Sequence, residues 1–297
     1  MNVSATVAAI LLASATLAGT SEEPGVVDKI KFQFDVRPGG TLYLDIDRGT
    51  IAVESSGENA VYVELDREVS GANDEEEKQV LELHEYDVSQ DGNNVVIESR
   101  FDDGESRFWS RGGRKRNFRL KVTIRVPDSY NIDFESGAGN VAISDLEGEV
   151  VGRTGAGNVI IGRIEGPVDV SSGAGNIEIQ SVMGFVDARS GAGNITIEEV
   201  AGEISAHTGA GNVVATVTRQ PRDDSELNSG AGNVTVYLAE NIGVTVDAHS
   251  SLGSASCEFD LVVKGKWMSK SFGGRINGGG PALTLHSGVG NVALRKH

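Results

Sequence analysis

The tetrapeptide Gly-Ala-Gly-Asn occurs six times, with its asparagine at positions 140, 158, 176, 194, 212 and 233. Successive asparagines stand 18 residues apart four times and 21 apart once, and a variant, Gly288-Val289-Gly290-Asn291, lies near the C-terminus. Placing the repeats in register stacks like on like. Val141, Val159, Ile177, Ile195 and Val213 follow the asparagines, and Val150, Val168, Val186 and Ile204 form a second apolar column after a recurrent glycine. Each repeat therefore holds two runs that alternate with period 2, the pattern of half-buried strands. Eighteen residues cannot hold two strands and a crossover helix, because that unit needs roughly 30 residues. Each strand must pair with its copy in the next repeat. The predicted fold is all-β: a parallel β-solenoid of 18-residue coils with two main strand faces, stacked about 4.8 Å apart.

The repeat also suggests what its own residues do. Asparagine tolerates unusual backbone and bonds local main chain, so Asn140, Asn158, Asn176, Asn194, Asn212 and Asn233 are expected to form a structural ladder along the axis. The alanine of each Gly-Ala-Gly-Asn is expected to fill a narrow corner, with glycine permitting positive φ at the turn. A phosphate-cradling loop is the competing reading, but such a loop opens one helix and does not recur six times. Calcium-binding β-rolls need an aspartate in each turn, where this chain has neutral Asn. No metal ligand set and no cofactor are expected.

Outside the array the strand pattern degenerates. Thr41–Ile46, Thr50–Val53 and Val61–Leu65 alternate, and residues 74–85 read as one short helix. A hairpin is expected around Asp91-Gly92, and a long strand over Phe118–Pro127. Further strands are expected at 244–246, 259–263, 282–285 and 292–294, with Val292 in a terminal coil that has one neighbour. Irregular strands at both ends would cap the open edges of the stack. The N-terminus contributes a different signal. Residues 5–18 are apolar or small, too short for a membrane span, and close on Ala13, Ala15 and Ala18 before a polar stretch. The expected organisation is a signal peptide over 1–20, a degenerate capping region over 24–130, and the regular solenoid with its C-terminal capping strands over 131–297. After signal cleavage no membrane span is expected, and the protein would reside in the periplasm or at the cell surface.

Charge narrows the function. The chain carries 26 basic and 43 acidic residues, a net charge of -17, which argues against a nucleic-acid partner. Cys257 is the sole cysteine, so no disulfide forms within the chain. One basic run breaks the acidic background: Arg107, Arg111, Arg114, Lys115, Arg116, Arg119 and Lys121, with Phe108 and Trp109 among them. Arg107, Trp109, Arg111, Arg114, Lys115 and Arg116 are candidate anion-binding residues, for lipid headgroups or lipopolysaccharide. The competing reading is a solvated loop that balances the acidic run 74–77.

A search for catalysis finds little. There is no His-Glu-x-x-His and no Gly-x-Ser-x-Gly. Asp169 and Asp187 fall one coil apart on the same outward row, which leaves a carbohydrate-active enzyme as a further alternative. No catalytic residue is expected.

The Ser-Gly-Ala-Gly-Asn-Val-x-Ile units, the strand into Val126-Pro127 and the tail Gly278–Leu294 resemble the bacterial "putative adhesin" family, a β-strand-repeat domain of unknown function. The resemblance covers roughly residues 40–297. It implies a β-solenoid in an exported or envelope protein and brings no catalytic residues. The expected role is a non-enzymatic envelope interaction, adhesin-like or structural module, whose partners are envelope proteins or anionic envelope components. A sensor or binder of anionic ligands through 107–121 is the alternative.

Overall fold

The structure, a computed structural model, describes residues 26–70, 74–101, 117–261 and 270–297. The N-terminal region holds β1 (Val26–Asp35), β2 (Thr41–Arg48), β3 (Thr50–Ser56), β4 (Ala60–Ser70), helix α1 (Asp74–Glu82), β5 (His84–Asp91), β6 (Asn94–Phe101) and β7 (Asn117–Pro127). The array follows with β8 (Asn131–Ala138), β9 (Val141–Ile143), β10 (Val150–Ala156), β11 (Val159–Ile164), β12 (Val168–Ala174) and β13 (Ile177–Val182). It continues through β14 (Val186–Ala192), β15 (Ile195–Val200), β16 (Ile204–Ala210), β17 (Val213–Val217), β18 (Ser225–Ala231) and β19 (Val234–Leu238). The C-terminal region adds β20 (Val244–Leu252), β21 (Ala255–Cys257), β22 (Ser271–Ile276), β23 (Ala282–Val289) and β24 (Val292–Lys296).

Within the array, even-numbered strands pair only with even-numbered ones and odd with odd. Two 12-stranded sheets result, one running β1-β4-β7-β3-β9-β11-β13-β15-β17-β19-β24-β21 and the other β22-β20-β23-β18-β16-β14-β12-β10-β8-β2-β6-β5. The array is parallel and in register, with Val168 opposite Val186 and Ile177 opposite Ile195. This is the parallel β-solenoid with two strand faces read from the repeat. Both apolar columns are buried between the sheets, including Val150, Val168, Val186 and Ile204. Each coil contributes the same inward residues, so burial propagates along the axis as nearest-neighbour contacts.

The corner joining the two sheets works differently from the expectation for alanine. Ala156, Ala174, Ala192 and Ala210 are exposed, so they fill no interior corner. Glycine makes the close approach instead. At Gly175, φ is +157°, and an added Cβ would lie 2.0 Å from the Gly157 carbonyl oxygen of the preceding coil. Inside the corner a hydroxyl column ties coil to coil: Ser172 Oγ donates to Gly157 O at 3.0 Å, Ser190 Oγ to Gly175 O at 2.9 Å and Thr208 Oγ1 to Gly193 O at 2.8 Å. One interior glycine answers a bulky neighbour, since a Cβ on Gly152 would meet the Phe134 ring at 2.2 Å.

At both ends, spatial order departs from chain order. The outermost parallel coil on the N-terminal side is β6 and β7, with β2 and β3 between it and β8 and β9. Antiparallel β4 and β1 extend one sheet, and β5 extends the other. Helix α1 packs on this end and buries Val80. It stops at Glu82, short of the 85 read from sequence, because His84 is drawn into β5 opposite Phe101. At the other end the C-terminal strands β23 and β24 lie directly on β18 and β19. The earlier strands β20 and β21 stack outside them. Val292 therefore has β19 on one side and β21 on the other, not the single neighbour expected of a terminal coil. Residues 259–261 are not a strand. The chain turns at Glu258, whose carboxylate accepts from Arg295 Nη1 at 3.2 Å and from the Lys296 amide at 3.1 Å. Residues 262 and 263 lie outside the described residues.

Candidate functional site

The candidate anion-binding residues Arg107, Trp109, Arg111, Arg114, Lys115 and Arg116 lie outside the described residues, as does the candidate signal peptide. The strands that flank the basic segment belong to different sheets, β6 to one and β7 to the other. Two members of the basic run sit on β7. Arg119 lies 3.7 Å from Glu68, while Lys121 has no ion pair among the described residues. Lys121, Arg119 and Arg48 share a surface groove with Gly49, Phe118 and Leu120. Across the groove, Lys29 lies 2.9 Å from Asp66, and that contact raises its pKa.

The asparagines of the repeat form a chain of hydrogen bonds down the corner. Asn140 Oδ1 accepts the Asn158 amide at 2.9 Å, Asn158 Oδ1 that of Asn176, Asn176 Oδ1 that of Asn194, and Asn194 Oδ1 that of Asn212. Asn212 Oδ1 takes the Asn233 amide at 2.9 Å, and Asn233 Oδ1 that of Asn291 at 2.8 Å. Asn291 Oδ1 then takes the Ser254 amide at 3.1 Å. Their main-chain oxygens accept as well, Asn158 O from Val141 and Asn176 O from Val159, each at 2.9 Å. These oxygens hold the turn's otherwise unpaired amides.

Asp169 and Asp187 are register partners on the outer face of β12 and β14. Arg189 joins them, with Nη1 3.7 Å from Asp169 Oδ1 and Nη2 bonded to Asp187 Oδ2. Burial pushes the Asp187 carboxyl up, Arg189 opposes this, and Asp169 adds to it. One guanidinium thus contacts both carboxylates on an open sheet face.

The sequence profile of the Toastrack DUF4097 family matches residues 42–295. The chain belongs to this family. Among solved structures, it is similar to a protein of Bacteroides fragilis called a "putative adhesin", at 12% identity and a TM-score of 0.42, covering 91% of this chain and 97% of that one. It is also similar to a "putative cell adhesion protein" of Clostridium sporogenes, at 12% identity and TM-score 0.29, covering 91% and 100%. A "putative lipid binding protein" of Parabacteroides distasonis gives 13% identity and TM-score 0.28, covering 91% and 96%. No curated protein sequence matches the chain. The Toastrack match starts inside β2 and ends inside β24, so it takes in every coil and leaves out β1.

Two histidine sites in this Toastrack stack escape a search for local motifs. His84 is buried at the N-terminal end, where Nε2 shares a 2.8 Å hydrogen bond with Ser99 Oγ and Nδ1 has no partner among the described residues. Phe101 and Phe118 pack on the ring at 4.9 and 5.1 Å. Burial, with the charge of Arg67 adding to it, brings its pKa down to about 4. At the opposite end, His249 on β20 and His286 on β23 are register partners, their rings 5.6 Å apart and 11° from parallel. The signal was present in sequence, since Ala248-His249-Ser250 and Leu285-His286-Ser287 occupy the same place before a corner. Among the described residues no group of three or more His, Cys, Asp or Glu is placed to hold a metal ion.

Proposed function

We propose that the chain is an exported, non-enzymatic module of the cell envelope, adhesin-like or structural, that presents a rigid surface to envelope partners. One observation carries this reading: in-register coils hold their outward side chains at a fixed spacing along two long sheets, while ladder, hydroxyl and asparagine bonds tie the main chain internally. Such a surface suits extended contact better than a reaction in a cleft. No helix among the described residues is long and apolar enough to cross a membrane. Cell fractionation of the full chain tests the reading. The protein should appear in periplasmic or surface fractions with its N-terminus cut near Ala18. An uncut cytoplasmic protein would overturn it.

A second reading, binding of anionic headgroups through 107–121, draws on the groove that Arg48, Arg119 and Lys121 line together with Phe118 and Leu120. Cationic groups beside apolar ones suit an anionic amphiphile. Vesicles containing phosphatidylglycerol should bind the chain at low salt and release it at high salt. Changing Arg111, Arg114, Lys115 and Arg116 to Ser should weaken that binding and leave thermal stability nearly unchanged. Equal retention by neutral vesicles would count against it.

A further inference from the structure

We propose that His249 and His286 form a two-imidazole site for a divalent transition-metal ion, which clasps the C-terminal strands into the stack. The two side chains come from adjacent parallel strands at the same register position on the outer face of their sheet. Their rings lie 5.6 Å apart, and neither imidazole has a hydrogen bond or ion pair among the described residues. Further along this row Arg153 is paired with Glu135 at 2.7 Å and Arg189 with the two aspartates. Here two nitrogen bases stand side by side without a hydrogen-bond or ion-pair partner among the described residues, His249 exposed and His286 half-buried.

The chemistry selects the ligand. Imidazole is a good donor for Cu²⁺, Ni²⁺ and Zn²⁺ and a poor one for Mg²⁺ or Ca²⁺, which take oxygen. Neighbouring strands are about 4.8 Å apart, so two rings can turn toward one ion at about 2.0–2.1 Å from each nitrogen. With two protein ligands, water completes the shell. Asp247 and Thr284 stand two residues earlier on the same face, and Asn228 and Ser271 are the next register partners outward.

The position gives such an ion a structural consequence. β23 lies between β18 and β20, though the chain reaches β20 first. A bound metal would join β20 to β23 across this reordered junction. An ion that binds only the folded arrangement stabilises it by mass action. This inference is independent of the envelope role, and its failure would leave that reading untouched.

The test uses the full chain carrying no histidine tag. CuCl₂ and ZnCl₂ are titrated in separate calorimetric runs, and Cu²⁺ is also followed by electron paramagnetic resonance. We expect one saturable site per chain, Cu²⁺ bound more tightly than Zn²⁺, and two-imidazole nitrogen coupling. His249→Gln or His286→Gln should each weaken binding by about tenfold or more, because the advantage of two linked ligands is lost. His207→Gln and His297→Gln should leave it unchanged. Zinc should raise the Tm of the parent chain but not of His286→Gln. Both variants alter outward side chains, and a circular dichroism spectrum matching the parent's establishes that they fold. Absence of saturable binding, or binding unchanged in His249→Gln and in His286→Gln, would overturn the site.

Discussion

Glycine at the third position of each Gly-Ala-Gly-Asn is set by one contact. A methyl group on Gly175 would enter the space of the Gly157 carbonyl oxygen, at a φ that side-chain-bearing residues avoid. Gly175→Ala should cost about 3 kcal/mol or more in a denaturant melt. The same experiment on Ala174→Ser should show a change within about 0.5 kcal/mol, because Ala174 is exposed. His84 makes a prediction in pH. Its pKa falls from 6.5 to about 4 on folding. Between those values the unfolded chain takes up a proton that the folded chain refuses, so stability is full above about pH 6.5 and falls as the pH drops toward 4. Urea melts across this window should show a decline attributable to His84 on the order of 2–3 kcal/mol. His84→Phe should flatten that part of the profile. An unchanged slope would mean that the ring is not kept neutral by burial. Little of this local chemistry is legible in the sequence: His84 reads there as the end of a helix, and only packing against Phe101 and Phe118 makes it a buried base.

For a strand, stability depends on how many neighbours it has. β13 lies between β11 and β15, and its Ile179 is buried, so Ile179→Ala should cost about 2–5 kcal/mol. Val88, on edge strand β5, is half-buried with a strand on one side only, so Val88→Ala should cost markedly less. The interior position of β24 alters the reading for Val292. It is fully buried between two strands, so Val292→Ala should match a mid-array valine such as Val159→Ala rather than Val88→Ala. Chemical denaturation of the set separates the two cases. The strands of the array were legible because each inward residue recurs at 18 residues, and the hairpin at Asp91-Gly92 because its turn chemistry is local. The strand expected at 259–263 failed over 259–261 for a tertiary reason. Its apolar residues alternate, but the Glu258 carboxylate is held by Arg295 and Lys296 and turns the chain off the sheet.

The whole molecule is one stack in which the last strands of the chain fill an inner place. Removing residues 282–297 takes away β23 and β24, leaving β18 and β19 facing a gap with β20 and β21 beyond it. Truncation at 281 should therefore abolish the cooperative thermal transition rather than lower the Tm by the small amount expected of a frayed end. A truncated chain that melts like the parent would contradict this order. The 18-residue period by itself determined the parallel pairing, the two strand faces, the buried columns and the coil size, because a strand that must meet its own copy one repeat later has no other partner. Tertiary structure decided where the irregular ends go. No period relates β2, β6 or β24 to a neighbour, so β2 is placed beside β8, β6 beside β2 and β24 beside β19 only by the packing of complete coils. The same step brings His286 beside His249 across 36 intervening residues, a meeting that the repeated His-Ser hints at and that only the reordered stack produces.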